Sequence, residues 1–220
     1  MTTIKDIVLV HGAFVDGSGW RGVHEELTWH GLRVHVVQNR ARSLQGDAAT
    51  TRRVLDGLDG PAVLVGHSYG GAVISAIGTH PNVASLVYVA AFAPDRGESA
   101  GTLLPTPPPV LPPVEGAHLL DREKFAGWFA ADLPDRLAAF MADSQVPWGV
   151  DALRGPVAEP AWRHRPSWYL LATQDRMIPP PTQRMMAERA GSTVVEVIGS
   201  HAVHISQPAA VADLIRQAAV

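Results

Sequence analysis

Short apolar runs of strand length recur along the chain and alternate with longer segments of helical length. Most of these runs are continuously apolar rather than alternating, which is typical of strands covered on both faces. They predict six strands, at residues 7–10, 34–37, 62–65, 86–89, 168–171 and 194–197. Because strands and helices alternate, the pattern predicts an α/β fold with a mainly parallel sheet and helices on both faces.

The segments between the predicted strands carry the signals of helix ends. Asp47 is a candidate N-cap for one helix, and another follows the turn at Ser68. The last two predicted helices begin near a proline, which suits a first helical turn. The predicted helices cover residues 47–58, 69–79, 180–190 and 208–219. The length of 220 residues fits one domain over residues 1–220.

Residues 94–166 interrupt this alternation. No strand is evident there, and prolines, which cannot donate ladder hydrogen bonds, crowd between residues 105 and 113. Asp121 then precedes Phe125, Trp128 and Phe129, whose spacing is helical. Helices are predicted over about 121–132 and 134–143. The segment is either a linker with a separate helical pair or a cap inserted over the sheet, and the return of the strand pattern after residue 166 favours the cap.

Composition limits the class of protein. Hydrophobic residues make up 46% and charged residues 18%, which is typical of a globular chain. The formal net charge of −3 gives no reason to expect nucleic acid or a membrane surface as partner. The chain has no cysteine, which excludes disulfides and thiolate metal sites. No signal peptide and no apolar run of about 18 residues is found, so we expect a cytoplasmic protein.

A Gly-x-Ser-x-Gly motif formed by Gly66, Ser68 and Gly70 stands between an apolar strand and an apolar helix. In that context the serine lies on a sharp turn with its hydroxyl pointing outward. The glycines, with Gly71, let strand and helix approach closely. The alternative is a tight strand–helix turn with an incidental serine. The motif indicates that Ser68 is a nucleophile.

A serine nucleophile needs a neighbouring base, and the base needs an orienting carboxylate. Asp175 follows the fifth predicted strand and His201 follows the sixth. Because the carboxyl ends of parallel strands share one edge of the sheet, these residues can meet Ser68 there. His204 is an alternative base, and Asp175 has the alternative of a solvated loop carboxylate. No further ligand at suitable spacing joins the two histidines, so no metal site is expected.

Acyl transfer also requires backbone N–H groups that stabilise an oxyanion. Tyr69, directly after the nucleophile, is one candidate donor, and Ala13 in the first strand–helix loop is the other, with Phe14 in reserve. Gly12 lets the backbone of this loop pass close to a substrate.

Gly17, Gly19 and Gly22 match the glycine spacing of a dinucleotide-binding loop. However, several residues separate them from the first strand, and no acid follows the second strand. Arg40 there would suit a 2′-phosphate, which keeps a cofactor as an alternative. A flexible loop that leads into the first helix explains these glycines better.

Ser68, Asp175 and His201 in this order, with His11-Gly12 after the first strand, resemble the α/β-hydrolase superfamily. The likeness is closer to its small esterase branch, which includes plant methylesterases and hydroxynitrile lyases. It is carried by residues 8–14 with Trp20, and by residues 65–71, 91–94, 174–179 and 199–202. The resemblance spans almost the whole chain. It implies a core of about six strands with a helical cap, no cofactor, and small ester substrates.

Two departures from the sequences of this branch narrow the range of reactions that the resemblance implies. The lyases of the branch carry a lysine after the catalytic histidine and a threonine after the first-loop histidine, where this chain has Ala202 and Gly12. Ser68 likewise differs from the aspartate nucleophile of related dehalogenases and epoxide hydrolases. We therefore expect cleavage of a small carboxylic ester through an acyl-enzyme on Ser68. A thioesterase, an amidase, a carbon–carbon bond hydrolase, a perhydrolase and a ligand-binding protein on the same fold are the alternatives.

Aromatic residues are the candidates for the substrate pocket. Phe14, Trp128 and Phe129 are predicted to line it, with Phe125 and Trp148 as further candidates. Packing of the cap onto the core is the alternative role for each of the cap aromatics.

Overall fold

The computed structural model describes residues 4–220, and most of its strands belong to one parallel sheet. In chain order the strands are β1 Asp6–Val10, β2 Arg33–Val37, β3 Ala62–His67, β4 Val83–Val89, β5 Ala117–His118, β6 Trp148–Gly149, β7 Ser167–Ala172 and β8 Thr193–Val197. Six of them pair in parallel in the order β2-β1-β3-β4-β7-β8. The predicted α/β fold and each of its six predicted strands are confirmed.

Helices cover both faces of the sheet. They are α1 Arg21–Trp29, α2 Leu44–Asp56, α3 Tyr69–Ile77, α4 Arg122–Phe129, α5 Asp135–Asp143, α6 Val150–Arg154, α7 Pro180–Arg189, α8 Val203–Ser206 and α9 Pro208–Gln217. Successive side chains of a strand point to opposite faces, and in β1 Val8 and Val10 enter one apolar core while Ile7 and Leu9 enter the other. Burial on both faces explains why these strands are continuously apolar.

The predicted N-cap of α2 is wrong. Ser43 caps this helix, because its hydroxyl accepts the backbone N–H of Gly46 at 3.2 Å. Asp47 lies within the first turn and is buried, where its carboxylate accepts the hydroxyl of Tyr69 at 2.8 Å. The tertiary contact with Tyr69 therefore determines the position of Asp47, although aspartate is a residue type typical of N-caps.

The inserted segment, residues 94–166, contains both predicted helices as α4 and α5. Asp121 caps α4 as expected, accepting the backbone N–H of Glu123 at 3.0 Å. The expectation that the segment lacks strands is wrong, because β5 and β6 pair antiparallel. These strands are two residues long, too short to leave a period-two pattern in the sequence.

The glycine-rich stretch after β1 is not a flexible loop. Gly17–Trp20 forms a 3₁₀ turn, and Gly22 lies in the first turn of α1. A Cβ at Gly22 would stand 2.9 Å from the Pro208 side chain, so close packing between α1 and α9 explains this glycine.

Neither a membrane-spanning helix nor a cluster of metal-ligating side chains occurs among the described residues. None of the helices within residues 4–220 is both long and apolar enough to cross a bilayer. Across that same range, no three His, Asp or Glu side chains come together in a way that would hold a metal ion.

Candidate active site

Ser68 lies on a strained turn between β3 and α3. Its φ of 53° and ψ of −123° are unfavourable for a residue with a side chain. Glycines make the turn possible, since a Cβ at Gly70 would overlap the carbonyl oxygen of Val10, and one at Gly71 that of Phe92. The backbone of α3 therefore touches the ends of neighbouring strands and fixes the position of the Ser68 hydroxyl.

Ser68, His201 and Asp175 form one continuous chain of hydrogen bonds. The Ser68 Oγ lies 2.8 Å from His201 Nε2, and His201 Nδ1 lies 2.7 Å from Asp175 Oδ2. An ionised carboxylate only accepts hydrogen bonds, so Nδ1 carries the imidazole proton and Nε2 accepts the serine hydroxyl. Ser68 is 6% exposed, and the side chains of the other two are fully buried. The structure thus brings together the three residues that sequence order predicts.

Asp175 is held by donors of its own loop and of α7. Its Oδ1 accepts the backbone N–H groups of Met177 at 2.7 Å and Ile178 at 3.0 Å. Its Oδ2 also accepts the side-chain amide of Gln183 at 2.8 Å. A buried carboxylate requires such partners. Sequence reasoning missed Gln183, a buried polar residue of α7 whose only signal is its position one turn into a helix that follows Asp175.

The loop that carries His201 is bonded to the inserted segment through Asp132. The carboxylate accepts the Ser200 backbone N–H at 3.0 Å and the Ser206 hydroxyl at 2.7 Å, and it also accepts the Ser200 hydroxyl. Burial would raise the pKa of the Asp132 carboxyl, but the hydrogen bonds from the two serines outweigh burial and lower it. The sequence analysis did not single out Asp132, whose partners lie about 70 residues away.

The first strand–helix loop lies against Ser68. A Cβ at Gly12 would stand 2.6 Å from the Ser68 Cβ. The His11 ring fixes this loop, since its Nε2 accepts the backbone N–H of Asn39 at 2.9 Å and its Nδ1 then donates to the Gly12 carbonyl at 2.8 Å. Among residues 4–220 the backbone N–H groups of Ala13 and Tyr69 meet no protein acceptor. Both are therefore free to donate to a bound oxyanion.

His204, the alternative base, does not contact Ser68. It lies in α8 and packs against His67, with ring centroids 3.9 Å apart. Burial lowers the pKa of His204 to about 3 and lowers the pKa of His67 well below its usual value. His67 Nε2 donates to the His201 carbonyl at 2.9 Å, a supporting contact that the sequence analysis did not identify.

A small cavity of about 10 Å³ lies at Ser68. Its lining comprises Ala13, Phe14, Ser68, Phe92, Leu104, Pro108, Trp148, Met177 and Ile178. Phe14 and Trp148 thus lie where the sequence analysis placed them. Trp128 and Phe129 do not line this cavity. Phe129 instead packs edge-on against the His201 ring with centroids 4.8 Å apart, and Trp128 packs half-buried against the core.

The sequence matches known proteins over most of its length. The profile of the Alpha/beta hydrolase family matches residues 7–214. A pyrethroid hydrolase of Sphingobium wenxiniae is 30% identical over 97% of this chain and 87% of its own. A carbendazim hydrolyzing esterase of Nocardioides is 34% identical over 64% of this chain and 65% of its own.

Solved structures share the same architecture. A methylesterase from Arabidopsis superposes with a TM-score of 0.79 over 98% of both chains, and at 18% identity that likeness shows the fold alone. Together with the family match and the relatives, it confirms the resemblance inferred from the sequence. The chain belongs to the Alpha/beta hydrolase family, in its ester-hydrolysing branch.

Proposed function

We propose that this protein is a serine esterase that cleaves small carboxylic esters through an acyl-enzyme on Ser68. The observation that carries the proposal is the buried hydrogen-bond chain from Ser68 through His201 to Asp175. It supplies a nucleophile, a base in the required tautomer and a carboxylate that orients the base. The names of the relatives, a pyrethroid hydrolase and an esterase, support ester hydrolysis as the reaction.

Acylation starts at the Ser68 hydroxyl. Its Oγ attacks the carbonyl carbon while its proton passes to His201 Nε2, and the carbonyl oxygen becomes an oxyanion. The N–H groups of Ala13 and Tyr69 donate to this oxyanion, and Asp175 stabilises the imidazolium. When the tetrahedral intermediate collapses, the C–O bond to the alcohol breaks and the alcohol leaves with the proton of His201.

Deacylation repeats these steps with water. His201 Nε2 takes a proton from a water molecule, whose oxygen attacks the acyl carbon. Collapse of the second intermediate releases the acid, and His201 returns the proton to Ser68 Oγ. The chain is then ready for another ester.

We further propose that the inserted segment, residues 94–166, acts as a cap over the nucleophile. Leu104, Pro108 and Trp148 of this segment line the cavity at Ser68. The rest of that lining comes from the loops at the carboxyl edge of the sheet. The acyl and alcohol groups that fit are therefore selected jointly by the cap and these loops.

The test combines covalent labelling with turnover. Wild type, Ser68→Ala and Ser75→Ala are treated with a fluorophosphonate probe and assayed on p-nitrophenyl acetate and butyrate. Ser75 is the matched control, since it is a buried serine of the same helix that bonds the Gly71 carbonyl rather than a histidine. We expect Ser68→Ala to lose labelling and at least about 10⁴-fold in kcat, while Ser75→Ala keeps both. An unlabelled wild type, or a Ser68→Ala enzyme as fast as wild type, would show the proposal to be wrong.

A further inference from the structure

A second, larger cavity borders the cavity at Ser68. This outer groove, about 420 Å³ in volume, lies between α5 of the inserted segment and the stretch that joins β1 to α1. Its apolar walls are Phe14, Val15, Leu137, Phe140, Met141 and Ile205. Charges occur at its edge, where Arg21 and Glu25 neutralise each other in an ion pair of 2.9 Å and the Asp16 carboxylate accepts the backbone N–H and the hydroxyl of Ser18. The outer groove therefore suits an uncharged, apolar group.

Phe14 separates the two cavities. Of the residues that the structure describes, it alone lines both the outer groove and the cavity at Ser68. It is 1% exposed, and its ring meets Trp148 edge-on with centroids 5.6 Å apart. Its φ of 65° is left-handed, so the main chain holds this side chain in an uncommon direction.

The volumes indicate how an ester must lie. The cavity at Ser68, about 10 Å³, has room for about one water molecule. Ligand sites typically measure about 300–1,000 Å³, a range that includes the 420 Å³ of the outer groove. The larger half of an ester whose carbonyl carbon reaches Ser68 does not fit in the cavity there, and the outer groove beyond Phe14 has the volume for it.

We propose that the outer groove is the subsite for the bulky apolar half of the ester, and that the Phe14 side chain controls passage to it from Ser68. The substrate class is then an uncharged ester that joins a small group to an apolar group of ring size or larger. This inference rests on the proposed esterase function, and its test separates the two.

The experiment compares bulky with small esters in two arms. The acyl arm measures kcat/KM for p-nitrophenyl octanoate against p-nitrophenyl acetate. The alcohol arm compares naphthylmethyl butyrate with methyl butyrate. The ratio of bulky to small ester is the readout, because it cancels any disturbance that a change at Phe14 transmits to the neighbouring Ala13.

A smaller side chain at position 14 should raise the kcat/KM ratio of bulky to small ester. In Phe14→Ala, and more weakly in Phe14→Leu, we expect the ratio to rise about tenfold or more in one arm. The arm that responds identifies which half of the ester occupies the outer groove. An unchanged ratio in both arms would overturn the proposal.

A charge in the outer groove should lower the same ratio of bulky to small ester. Leu137→Asp places a carboxylate on its wall, and we expect the ratio to fall by about threefold or more in wild type and in Phe14→Ala. Leu119→Asp is the matched control, since both leucines are 38% exposed and Leu119 lies outside the outer groove. If Leu137→Asp leaves the ratio in Phe14→Ala unchanged, the groove assignment is wrong.

Fluorophosphonate labelling is run on every variant. Labelled protein with unresponsive ratios would contradict only the groove assignment, whereas wild type that takes no label would contradict the esterase function itself.

Discussion

The turn that carries Ser68 and the inserted segment above it are held in different ways. At the turn, main chain meets main chain, because Gly70 and Gly71 bring α3 against the carbonyl oxygens of Val10 and Phe92. The inserted segment has strands of only two residues, and it packs through aliphatic and aromatic side chains, as in the stack of Phe125 on Phe129 with centroids 5.0 Å apart.

This difference separates two tasks. The Ser68 hydroxyl is positioned by contacts between backbone atoms, which a side-chain substitution elsewhere changes little. The cavity walls are made of side chains that a substitution can enlarge or fill. The Asp132 carboxylate and the Phe129 carbonyl connect the two regions, since both reach from the inserted segment to Ser200 beside His201.

We call the sheet edge that carries Ser68, Asp175 and His201 the rigid region, and the largest effect should follow from a change at Asp175 within it. In Asp175→Asn the amide cannot hold His201 in the tautomer that accepts the Ser68 proton, and we expect kcat to fall about 10⁴-fold. Steady-state assays on p-nitrophenyl acetate measure it. Asp47→Asn is the control, because it changes another buried carboxylate that bonds Tyr69 and lies outside the hydrogen-bond chain. A loss below tenfold in Asp175→Asn would contradict this role.

An intermediate effect should follow from cutting the connection at Asp132. Asp132→Ala removes the hydrogen bonds that its carboxylate accepts from Ser200 and Ser206 and leaves those that the Phe129 carbonyl accepts from the same loop, and we expect kcat to fall about tenfold to a hundredfold with little change in KM. Asp132→Asn should recover part of the loss, because its amide oxygen still accepts a hydrogen bond. Asp135→Ala, an exposed exchange in α5, is the control. A raised KM with unchanged kcat would show that Asp132 shapes the pocket instead.

The lowered pKa of Asp132 also makes its contribution to stability depend on pH. Its pKa is lower in the folded protein than in the unfolded chain, so the stability it contributes is complete above the unfolded value. That contribution is lost as the pH falls through the lowered folded value. Wild type should therefore keep its advantage over Asp132→Ala in stability at pH 5.

The smallest effect concerns the stability of the fold in acid, which depends on the buried histidines His67 and His204. The pKa values of His67 and His204 are lowered in the folded protein, so below about pH 6.5 the unfolded chain binds more protons. Stability should be complete above that pH and fall by about 1.4 kcal/mol per pH unit for each histidine. His204→Gln should remove one such contribution, measured as the slope of unfolding free energy between pH 6 and 4. Equal slopes in both proteins would contradict this account.

The sequence predicts the rigid region well and the inserted segment only in outline. Strands buried on both faces leave continuous apolar runs, and the order Ser68, Asp175, His201 follows from their ends, so the residues that the structure brings together were identifiable. Helix spacing also indicated that Phe125 and Phe129 share one helix face. It did not indicate what that face packs against, which is why Phe129 was expected in the pocket although it supports His201.

Contacts between distant segments account for the other differences. Asp47 has the chemistry of a cap, yet the hydroxyl of Tyr69 determines its place. Gln183 and Asp132 support the candidate site through partners on other elements, and neither stands in a local pattern. Such residues become visible only once the elements are packed.

The backbone of Ser68 also has a consequence for heat resistance. A serine in this left-handed conformation costs the folded state about 1 kcal/mol or more, a cost that glycine would avoid. The proposed nucleophile is thus also a position that destabilises the fold, and we expect a melting temperature a few degrees lower than with glycine at this turn. An inactive chain with glycine at this turn would be the more durable scaffold.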